Sequence, residues 1–343
     1  MSIFSECARL ALGNGIGALA SVARRRGSLP MSATAKMLVT TTGARYGTVG
    51  GGCLEAEITE RAMDVARARQ PIITQHTLNA ELAGDYGLTC GGTAVMFIEP
   101  VFDDPTLASV YAECTALLAR GERGVMATGA DWSAGVQKVL RHTGITTGRG
   151  APELLSAADH VDAARETPEL QGDILLDPIV GMPRLVVFGG GHVGARVAQA
   201  ASFAGWRVTV VDDRADFADA TRHPTAERTL VCSYHDLPPA LGIDESTYVV
   251  VATRGHQHDA VVVDQIARTD WKYLGMLGSR RKVALTWRML EEAGVPRARL
   301  ERVHAPVGLS IGADTPEEIA ISVVAEMIAV RRGGTVRHVP RVG

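Results

Sequence analysis

The sequence predicts a two-domain α/β protein: a C-terminal Rossmann-like domain with a doubly wound parallel sheet, preceded by an N-terminal domain of α+β or mixed-sheet type. The 343 residues exceed the roughly 250 to 300 at which a single core stops growing. An apolar, partly β-branched run at 185–188 leads into a glycine cluster that begins a helix with a period of about 3.6 residues. Further apolar runs recur at βα spacing, so we assign domains 1–182 and 183–343 around a Gly-Met-Pro linker.

Charge and cysteine content restrict the class of protein. The 35 basic and 38 acidic side chains give a net charge of -3, which offers no electrostatic footprint for nucleic acid or an anionic membrane surface. No run reaches the 18 or so apolar residues of a membrane-spanning helix, and the N-terminus has no signal pattern. Five widely spread cysteines in a chain of this size indicate free thiols in a reducing compartment. We therefore expect a cytoplasmic protein with small-molecule or protein partners, no membrane span and no repeat of solenoid length.

The N-terminal domain begins with an ambiguous segment and continues as a hairpin. Residues 5–20 have the pattern of an amphipathic helix weakened by glycines, and residues 15–25 fit a first strand equally well. Residues 36–42 and 46–49 predict the two arms of a hairpin around Gly43. A helical pattern then starts at Leu54.

Cys53 is predicted to lie at the start of this helix, directly behind Gly50, Gly51 and Gly52. A helix N-terminus stabilises a thiolate, and successive glycine N–H groups form nests that bind anions. The segment is therefore a candidate for a reactive or ligating thiolate. The alternative is a small residue that fills a tight turn.

A second cysteine, Cys90, stands in a similar turn, Gly-Leu-Thr-Cys-Gly-Gly, where Gly91 follows it and a strand at 93–98 comes next. Two such cysteines in one domain strengthen the functional interpretation of both. A zinc site has weak support, because neither cysteine belongs to the C-x₂-C or H-x₃-H spacings that hold a metal.

The middle of the chain is less informative. We predict a helix at 107–118 and strands at 124–128 and 137–140. The run Ile-Leu-Leu-Asp-Pro at 174–178 echoes Phe-Ile-Glu-Pro at 97–100, so each is expected to be the last strand of a sheet.

The glycine cluster after residue 188 matches the dinucleotide-binding fingerprint. Gly189, Gly191 and Gly194 fill the three positions of GxGxxG, which allow a sharp turn, close approach of a pyrophosphate and tight helix packing. A second apolar strand ends at Asp212, about 20 residues further on, where a carboxylate accepts from a ribose hydroxyl. The βαβ unit predicts nucleotide binding, with NAD(P) or another nucleotide as the ligand.

The rest of the C-terminal domain is predicted to alternate strands and helices. The expected strands are 229–232, 248–253, 273–277 and 302–304. The last helix has a capping box from Thr315 to Glu318 and ends at Gly333. Its predicted buried stripe consists of Ile319, Val323, Val324, Met327 and Ile328.

Ligands of an open parallel sheet bind outside the carboxyl ends of its strands, and two loops there carry polar residues. The first contains Arg254, His256, His258 and Asp259, which either contact a ligand or only cap the next helix. The second begins a helix with Ser279, Arg280, Arg281 and Lys282. Three cations in a first turn oppose the helix dipole, so a bound phosphate would offset them; the alternative is a solvated charged face.

Taken together, these motifs resemble the XdhC/CoxI family. The segments that carry the resemblance are GGGCLE at 50–55, GLTCGG at 87–92, the glycine fingerprint with His192, TRGH at 253–256, GSRRK at 278–282 and HAP at 304–306. The resemblance covers about residues 10–100 and 183–332. The chain departs from the family in having Met31 where an arginine usually follows the proline, and Thr34 where a glycine is frequent.

The resemblance implies a maturation factor that binds the molybdenum cofactor, molybdopterin, while a cysteine desulfurase supplies its sulfido ligand. The recipient would be a molybdenum hydroxylase apoenzyme of xanthine dehydrogenase or carbon monoxide dehydrogenase type. In that role, Cys53 and Cys90 would ligate molybdenum or relay sulfur, since thiolates suit a soft centre. The glycine turns, the Ser279 loop and its arginines would hold the phosphate. We also expect a homodimer.

Two alternatives remain open at the level of sequence. An NAD(P)-dependent oxidoreductase would use the fingerprint and Asp212, although no acid-base pair is convincing outside the loop of His256 and His258. A non-catalytic adaptor between hydroxylase and desulfurase would keep the Rossmann domain only as a scaffold. A nucleotide-transferring enzyme is weaker, because the sequence offers no clear pair of metal-binding carboxylates.

Overall fold

The computed structural model describes residues 2–78, 92–162 and 165–334, and the chain divides into two compact units, Met1–Gly181 and Met182–Gly343. The predicted fold class is confirmed. The N-terminal unit combines antiparallel sheets with helices, and the C-terminal unit has a five-stranded parallel sheet. Across these described ranges, no helix has the length and apolarity needed to span a bilayer.

The first half of the N-terminal unit is a helix, a three-stranded meander, a second helix and two strands. These elements are α1 (Ile3–Ala11), β1 (Gly17–Gly27), β2 (Lys36–Thr40), β3 (Arg45–Gly47), α2 (Gly52–Ala68), β4 (Ile72–Leu78) and β5 (Gly92–Val101). The sheet order is β3-β2-β1-β5-β4, with antiparallel pairing throughout. Both interpretations of the ambiguous first segment are therefore correct in part, since the helix ends before the strand begins.

The second half repeats this order of elements. It consists of α3 (Pro105–Arg120), β6 (Arg123–Gly129), β7 (Lys138–His142), β8 (Ile145–Arg149), α4 (Pro152–Asp159), β9 (Glu169–Gln171) and β10 (Ile174–Val180). Its sheet order, β8-β7-β6-β10-β9, matches that of the first half position by position. We call residues 3–101 the first repeat and residues 105–180 the second repeat. The expectation from the echoed sequence is confirmed, because β5 and β10 are each the last strand of their sheet in chain order.

The core of the N-terminal unit lies between the two sheets. Leu19 and Leu38 of the first repeat and Met126 and Leu140 of the second pack with α1 and α3 in one buried cluster. On the outer faces, α2 covers the first sheet and α4 covers the second. Alternation along each strand thus sends every second side chain into an interior that both repeats share.

Two ion pairs cross this interior and relate the repeats reciprocally. Lys138, the first residue of β7, donates to both carboxylate oxygens of Glu99 on β5 at 2.8 and 2.7 Å, and both side chains are buried. Lys36, the first residue of β2, pairs with Asp177 on β10 at 3.0 Å. Each lysine therefore belongs to one repeat and its carboxylate to the other. The hydroxyl of Thr128 accepts a further hydrogen bond from Lys138 at 2.7 Å.

The C-terminal unit has the strand order β13-β12-β11-β14-β15. Its elements are β11 (Arg184–Phe188), α5 (His192–Phe203), β12 (Arg207–Asp212), β13 (Arg228–Val231), β14 (Tyr248–Val251), α6 (His256–Ala267), β15 (Tyr273–Met276), α7 (Arg280–Glu292), α8 (Arg297–Leu300) and α9 (Pro316–Arg332). All registered pairs in this sheet are parallel. Strand order and chain order diverge between β11 and β14, which is the switch point where open sheets form a crevice.

Two details of the prediction for this unit are wrong. The expected strand at 302–304 is a single parallel bridge between His304 and Gly275, because Pro306, two residues after His304, has no N–H to extend a ladder. Ile328, expected in the buried stripe of α9, is 41% exposed, and Ala320 is buried on that helix. The capping box of Thr315 and Glu318 and the end at Gly333 are confirmed.

Replacing Lys138 with Met should strongly destabilise the N-terminal unit. The change leaves Glu99 buried without its partner, which costs about 3 to 5 kcal/mol in free energy of unfolding. Urea unfolding followed by circular dichroism measures this cost. Lys272→Met, at an exposed lysine of the C-terminal unit, is the matched control and should change stability by less than about 0.5 kcal/mol. A Lys138→Met, Glu99→Leu double variant should regain most of the loss, and a stable single variant would contradict the prediction.

Candidate functional site

The predicted position of Cys53 is confirmed: it is the second residue of α2, and its side chain is exposed. Gly50, Gly51 and Gly52 precede it with φ values of +116°, +76° and +65°. These values lie in the left-handed region that favours glycine. A Cβ at Gly51 or Gly52 would meet no atom within 4 Å, so the conformation and not crowding requires glycine there. The thiol therefore lies on an open loop at a helix N-terminus that carries no side-chain N-cap.

Glu55 holds this loop in shape. Its carboxylate accepts a hydrogen bond from the Thr48 hydroxyl at 2.6 Å and from the Gly51 N–H at 3.2 Å. The Thr48 hydroxyl is the main cause that lowers the pKa of Glu55, and the backbone N–H groups of Gly51 and Val49 add to it. The charged form of Glu55 is thus the one that fixes the turn before Cys53.

The loop that departs from the family pattern supports the same turn from the other side. Met31 is buried, and its side chain lies where a Cβ on Gly50 would meet it at 3.3 Å. Arg25, on β1, donates to the Met31 carbonyl at 2.7 Å. The loop therefore packs against the glycine turn through Met31, and a guanidinium holds the backbone there.

Cys90 and Gly91 lie outside the described residues, so their predicted roles stay predictions. Among the described cysteines, Cys7 and Cys114 are buried, and burial raises the pKa of both thiols. Cys232 is half-buried, and burial raises its pKa as well. Within the described ranges, no group of three or more His, Cys, Asp or Glu side chains has an arrangement that could hold a metal ion.

In the C-terminal unit, the glycine fingerprint lies at the carboxyl end of β11. Gly189 has a φ of +106°, and a Cβ there would overlap the backbone of Ala252, the residue that follows β14. A Cβ on Gly194 would overlap the carbonyl oxygen of Gly189, which explains glycine at the third position through close helix packing. A Cβ on Gly191 would meet nothing within 4 Å, and His192 beside it is exposed. The second position thus faces open space, as a loop that binds a phosphate requires.

Asp212 is fully buried, and protein groups occupy both of its carboxylate oxygens. Gly190 N–H donates to it at 2.9 Å, and Arg214 donates through its backbone at 3.0 Å and its Nε at 2.9 Å. Burial raises the pKa of Asp212, but these hydrogen bonds outweigh it and the net shift is downward. A ribose hydroxyl at Asp212 would have to share the carboxylate with these donors. The neighbouring Asp213 is more exposed and forms a bidentate pair with Arg254 at 3.1 and 2.7 Å.

The loop after β14 combines a structural carboxylate with exposed polar groups. Asp259 is buried and accepts from the Thr253 hydroxyl at 2.6 Å and from the Thr253 N–H at 3.1 Å. Its other oxygen pairs with Lys282 of the next loop. Arg254 and His256 are exposed at the same edge of the sheet. Asp259 therefore has a structural role, but it does not cap the next helix as the alternative expected, because the N-cap of α6 is Gly255 and the helix has no side-chain cap. The structure leaves Arg254 and His256 as candidate ligand contacts.

The loop after β15 differs from its prediction in one cation. Ser279 caps α7 by accepting from the Lys282 N–H at 3.3 Å, and Arg280 and Arg281 project into solvent. Lys282 turns inward to Asp259 and to the Leu277 carbonyl. Two guanidinium groups, and not three cations, therefore face solvent at this helix start.

Three contributors to these sites were missed from the sequence: Glu55 as the clamp of its loop, Asp213 as the partner of Arg254, and Lys282 as the partner of Asp259. The sequence signal for Glu55 was its position one helical turn after Gly51, the N-cap. The other two pairs join separate loops, and one sequence gives no sign of such contacts.

Two protein-family models match the chain. The model of the XdhC and CoxI family matches residues 13–77, and the model of the XdhC Rossmann domain matches residues 185–327. Together, the two matches cover more than half of the chain.

Several known proteins are similar over long stretches. YqeB of Escherichia coli (strain K12) is 29% identical over 332 residues, which are 96% of this chain but only 46% of YqeB, so the chain spans about half the length of that relative. A probable xanthine dehydrogenase subunit of Bacillus subtilis (strain 168) is 25% identical over 92% of this chain and 93% of its own. The molybdenum cofactor insertion chaperone PaoD of Escherichia coli (strain K12) is 33% identical over 28% of this chain and 31% of its own.

The fold is also similar to that of a solved structure along nearly the whole chain. A crystal structure described as a xanthine dehydrogenase from Bacillus halodurans superposes with a TM-score of 0.78 and 24% identity, covering 99% of this chain and 98% of that one. At this identity the match shows the fold alone.

The clamp by Glu55 predicts a pH-dependent effect of Glu55→Gln. The pKa of Glu55 is lowered in the folded protein, so its charged carboxylate stabilises the fold at pH values above the ordinary glutamate pKa of about 4.3. This stabilisation is lost as the pH falls through the lowered pKa. The variant should lose about 1 kcal/mol at pH 7, the usual cost of a lost helix cap, and match the wild type near about pH 3. Urea unfolding at both pH values measures this. Glu60→Gln, at an exposed residue of the same helix, should be neutral, and an equal effect of both variants would refute the clamp.

The second and third glycines of the fingerprint, Gly191 and Gly194, should respond differently to substitution by serine. Gly191→Ser places its Cβ in open space and supplies a favoured N-cap residue, so it should melt like the wild type. Gly194→Ser forces apart α5 and the Gly189 backbone and should cost about 1 to 3 kcal/mol or more. Thermal melts of the two variants test this. Equal melting temperatures would show that the close packing at Gly194 is unnecessary.

Proposed function

The chain belongs to the XdhC/CoxI family, and from this premise we propose that it is an accessory protein that binds the molybdenum cofactor and delivers it to a molybdenum hydroxylase apoenzyme. Similarity to the probable xanthine dehydrogenase subunit of Bacillus subtilis and to a molybdenum cofactor insertion chaperone supports this role. The recipient would be an enzyme of xanthine dehydrogenase or carbon monoxide dehydrogenase type.

The observation that carries the proposal is the exposed thiol of Cys53 on its glycine turn. Molybdenum and sulfur are soft centres, and a thiolate is the protein ligand that suits them. The helix N-terminus favours the anionic sulfur, and the missing side chains of Gly51 and Gly52 leave room for a bulky ligand. Cys53 would then hold the metal end of the cofactor or relay sulfur, with Cys90 as the second thiol.

The phosphate end of the cofactor needs N–H groups and guanidiniums. The C-terminal unit offers the open second position at Gly191, the helix start at Ser279 and the exposed Arg280 and Arg281. We also propose that a cysteine desulfurase is a partner, because sulfuration needs a sulfur donor, and that the protein acts as a homodimer in the cytoplasm.

A second candidate is an NAD(P)-dependent oxidoreductase, and the glycine geometry at the carboxyl end of β11 favours it. The engagement of Asp212 by Gly190 and Arg214 argues for a weaker ribose contact than such enzymes use. Fluorescence titration with NADH and NADPH separates the candidates. Tight binding with substrate-dependent turnover would favour the oxidoreductase.

The thiol role predicts that molybdenum loading depends on Cys53. We expect the wild-type protein, coexpressed with the cofactor biosynthesis enzymes, to carry molybdenum. The Cys53→Ser, Cys90→Ser variant should lose at least about 90% of that molybdenum, because removing about 1.4 kcal/mol of binding free energy weakens binding about tenfold. Inductively coupled plasma mass spectrometry gives molybdenum per chain.

The control applies the same substitution in the other unit, at the half-buried Cys232. Cys232→Ser should keep the wild-type molybdenum content. Full molybdenum content in the Cys53 and Cys90 variant would exclude thiolate ligation. Apoenzyme capture without any molybdenum, unaffected by changes at either cysteine, would identify a non-catalytic adaptor between hydroxylase and desulfurase instead.

A further inference from the structure

A cavity of about 430 Å³ lies beside α7 in the C-terminal unit. One side is the face of α7 that carries Arg280, Ala284, Trp287 and Arg288, and the other includes the segment 305–306. Hydrogen bonds from Met276 N–H to the His304 carbonyl and from the N–H of residue 307 to the Met276 carbonyl hold that segment beside the end of β15. The volume of the cavity falls within the roughly 300 to 1,000 Å³ that is typical of small-molecule sites.

The cavity carries an excess of positive charge. Arg280 and Arg288 are exposed, and in the part of the chain that the structure describes neither has a carboxylate within ion-pair distance. Arg297 also lines the cavity, but it pairs with Glu291 at 2.7 Å and with Glu301 at 3.2 Å. Two uncompensated guanidiniums thus remain, which is the charge that a phosphate dianion would balance.

Trp287 gives the cavity a flat aromatic wall. It is half-buried, whereas the other three tryptophans, Trp132, Trp206 and Trp271, are 4%, 3% and 5% exposed. Val283 and Ala284 extend the wall with apolar or small side chains. An accessible indole between arginines is the arrangement on which planar heterocycles stack.

The order of these residues along α7 places the candidate phosphate contact and the candidate ring contact at different points of the helix. Arg280 stands at the first turn of α7, where the N–H groups and dipole favour an anion. Trp287 is two turns further on, about 10 Å along the axis. A ligand with its phosphate at the helix start and its ring at Trp287 therefore lies along the cavity wall, and Arg288 lies next to the ring.

We propose that this cavity binds a phosphorylated planar heterocycle, with the ring against Trp287 and the phosphate at Arg280. Two sources have this chemistry: a pterin phosphate, which rests on the proposed function, and a purine mononucleotide, which does not. None of the residues that line the cavity belongs to the glycine fingerprint, although Arg280 is shared with the helix start to which the proposed function assigns the cofactor phosphate. The cavity therefore adds a site beside the dinucleotide crevice.

Calorimetric titration of the full chain, purified without cofactor, tests the site with GMP and with dihydroneopterin monophosphate. We expect at least one of them to bind more tightly than guanosine or inorganic phosphate alone. Trp287→Ala should weaken that binding about 5-fold to 100-fold, the usual loss of a stacking partner. GMP binding should also shield the one accessible tryptophan from acrylamide quenching, and Trp287→Phe should abolish that fluorescence change while binding persists.

Two further variants keep the test decisive if Trp287→Ala is unstable. Ala284→Leu narrows the cavity from an exposed helical position and should weaken whichever ligand binds. Arg268→Ala, at the C-cap of α6, should not. Unchanged affinity in Trp287→Ala and Ala284→Leu would overturn the proposal. So would inorganic phosphate binding as tightly as both heterocycles, or no heterocycle binding at millimolar concentration.

The same titration separates this site from the proposed function. Binding of GMP by a protein that never acquires molybdenum would keep the site and remove the cofactor role. Normal molybdenum loading without any binding in the cavity would keep the cofactor role and exclude the cavity as a binding site. Preference for the pterin phosphate over GMP would identify the cofactor as the source.

Discussion

The N-terminal unit depends on two interior ion pairs, one fully buried and one partly buried, each of which joins a lysine of one repeat to a carboxylate of the other. A buried charge without a partner costs several kcal/mol, so neither repeat can bury its inner face alone without leaving a charge uncompensated. The pairs also fix the strand register, since a slip of one residue would turn each lysine to the outer face. Gly47 and Gly148 complete this arrangement, because at each a Cβ would overlap the carbonyl oxygen of the paired lysine.

The two repeats share a scaffold but differ in chemistry. In the first repeat, α2 begins behind three left-handed glycines and carries Cys53. In the second repeat, the equivalent helix α4 begins at Pro152 behind Ala151 in an extended conformation, with no thiol. The second repeat therefore supplies interior side chains and ionic partners, while the candidate chemistry of this unit stays in the first. An ordinary helix start at α4 shows that the glycine turn is not a requirement of the fold.

The features that could be predicted from sequence are those set by neighbouring residues. The fingerprint glycines, the helix start at Cys53 and the capping box of α9 each depend on a few consecutive positions. The duplication remained hidden, because the residues that the repeats share, such as the lysines that begin β2 and β7, are single positions far apart in the chain. Only the echo before Pro100 and Pro178 indicated it. Lys282 was counted among the three cations that a bound phosphate would offset, because its partner Asp259 belongs to another loop. Long-range pairing of this kind decides which charges remain for a ligand.

Lysine is scarce in this chain, and the structure shows which lysine side chains are accessible to amine-directed reagents. Of four lysines, Lys36, Lys138 and Lys282 are engaged by carboxylates, and Lys272 is exposed. Arginine, with its weakly hydrated planar head, carries the rest of the basic surface. Acylating reagents and amine-directed cross-linkers will consequently modify side chains mainly at Lys272. A partner cross-linked through a lysine side chain can then be positioned from one known point on the C-terminal unit.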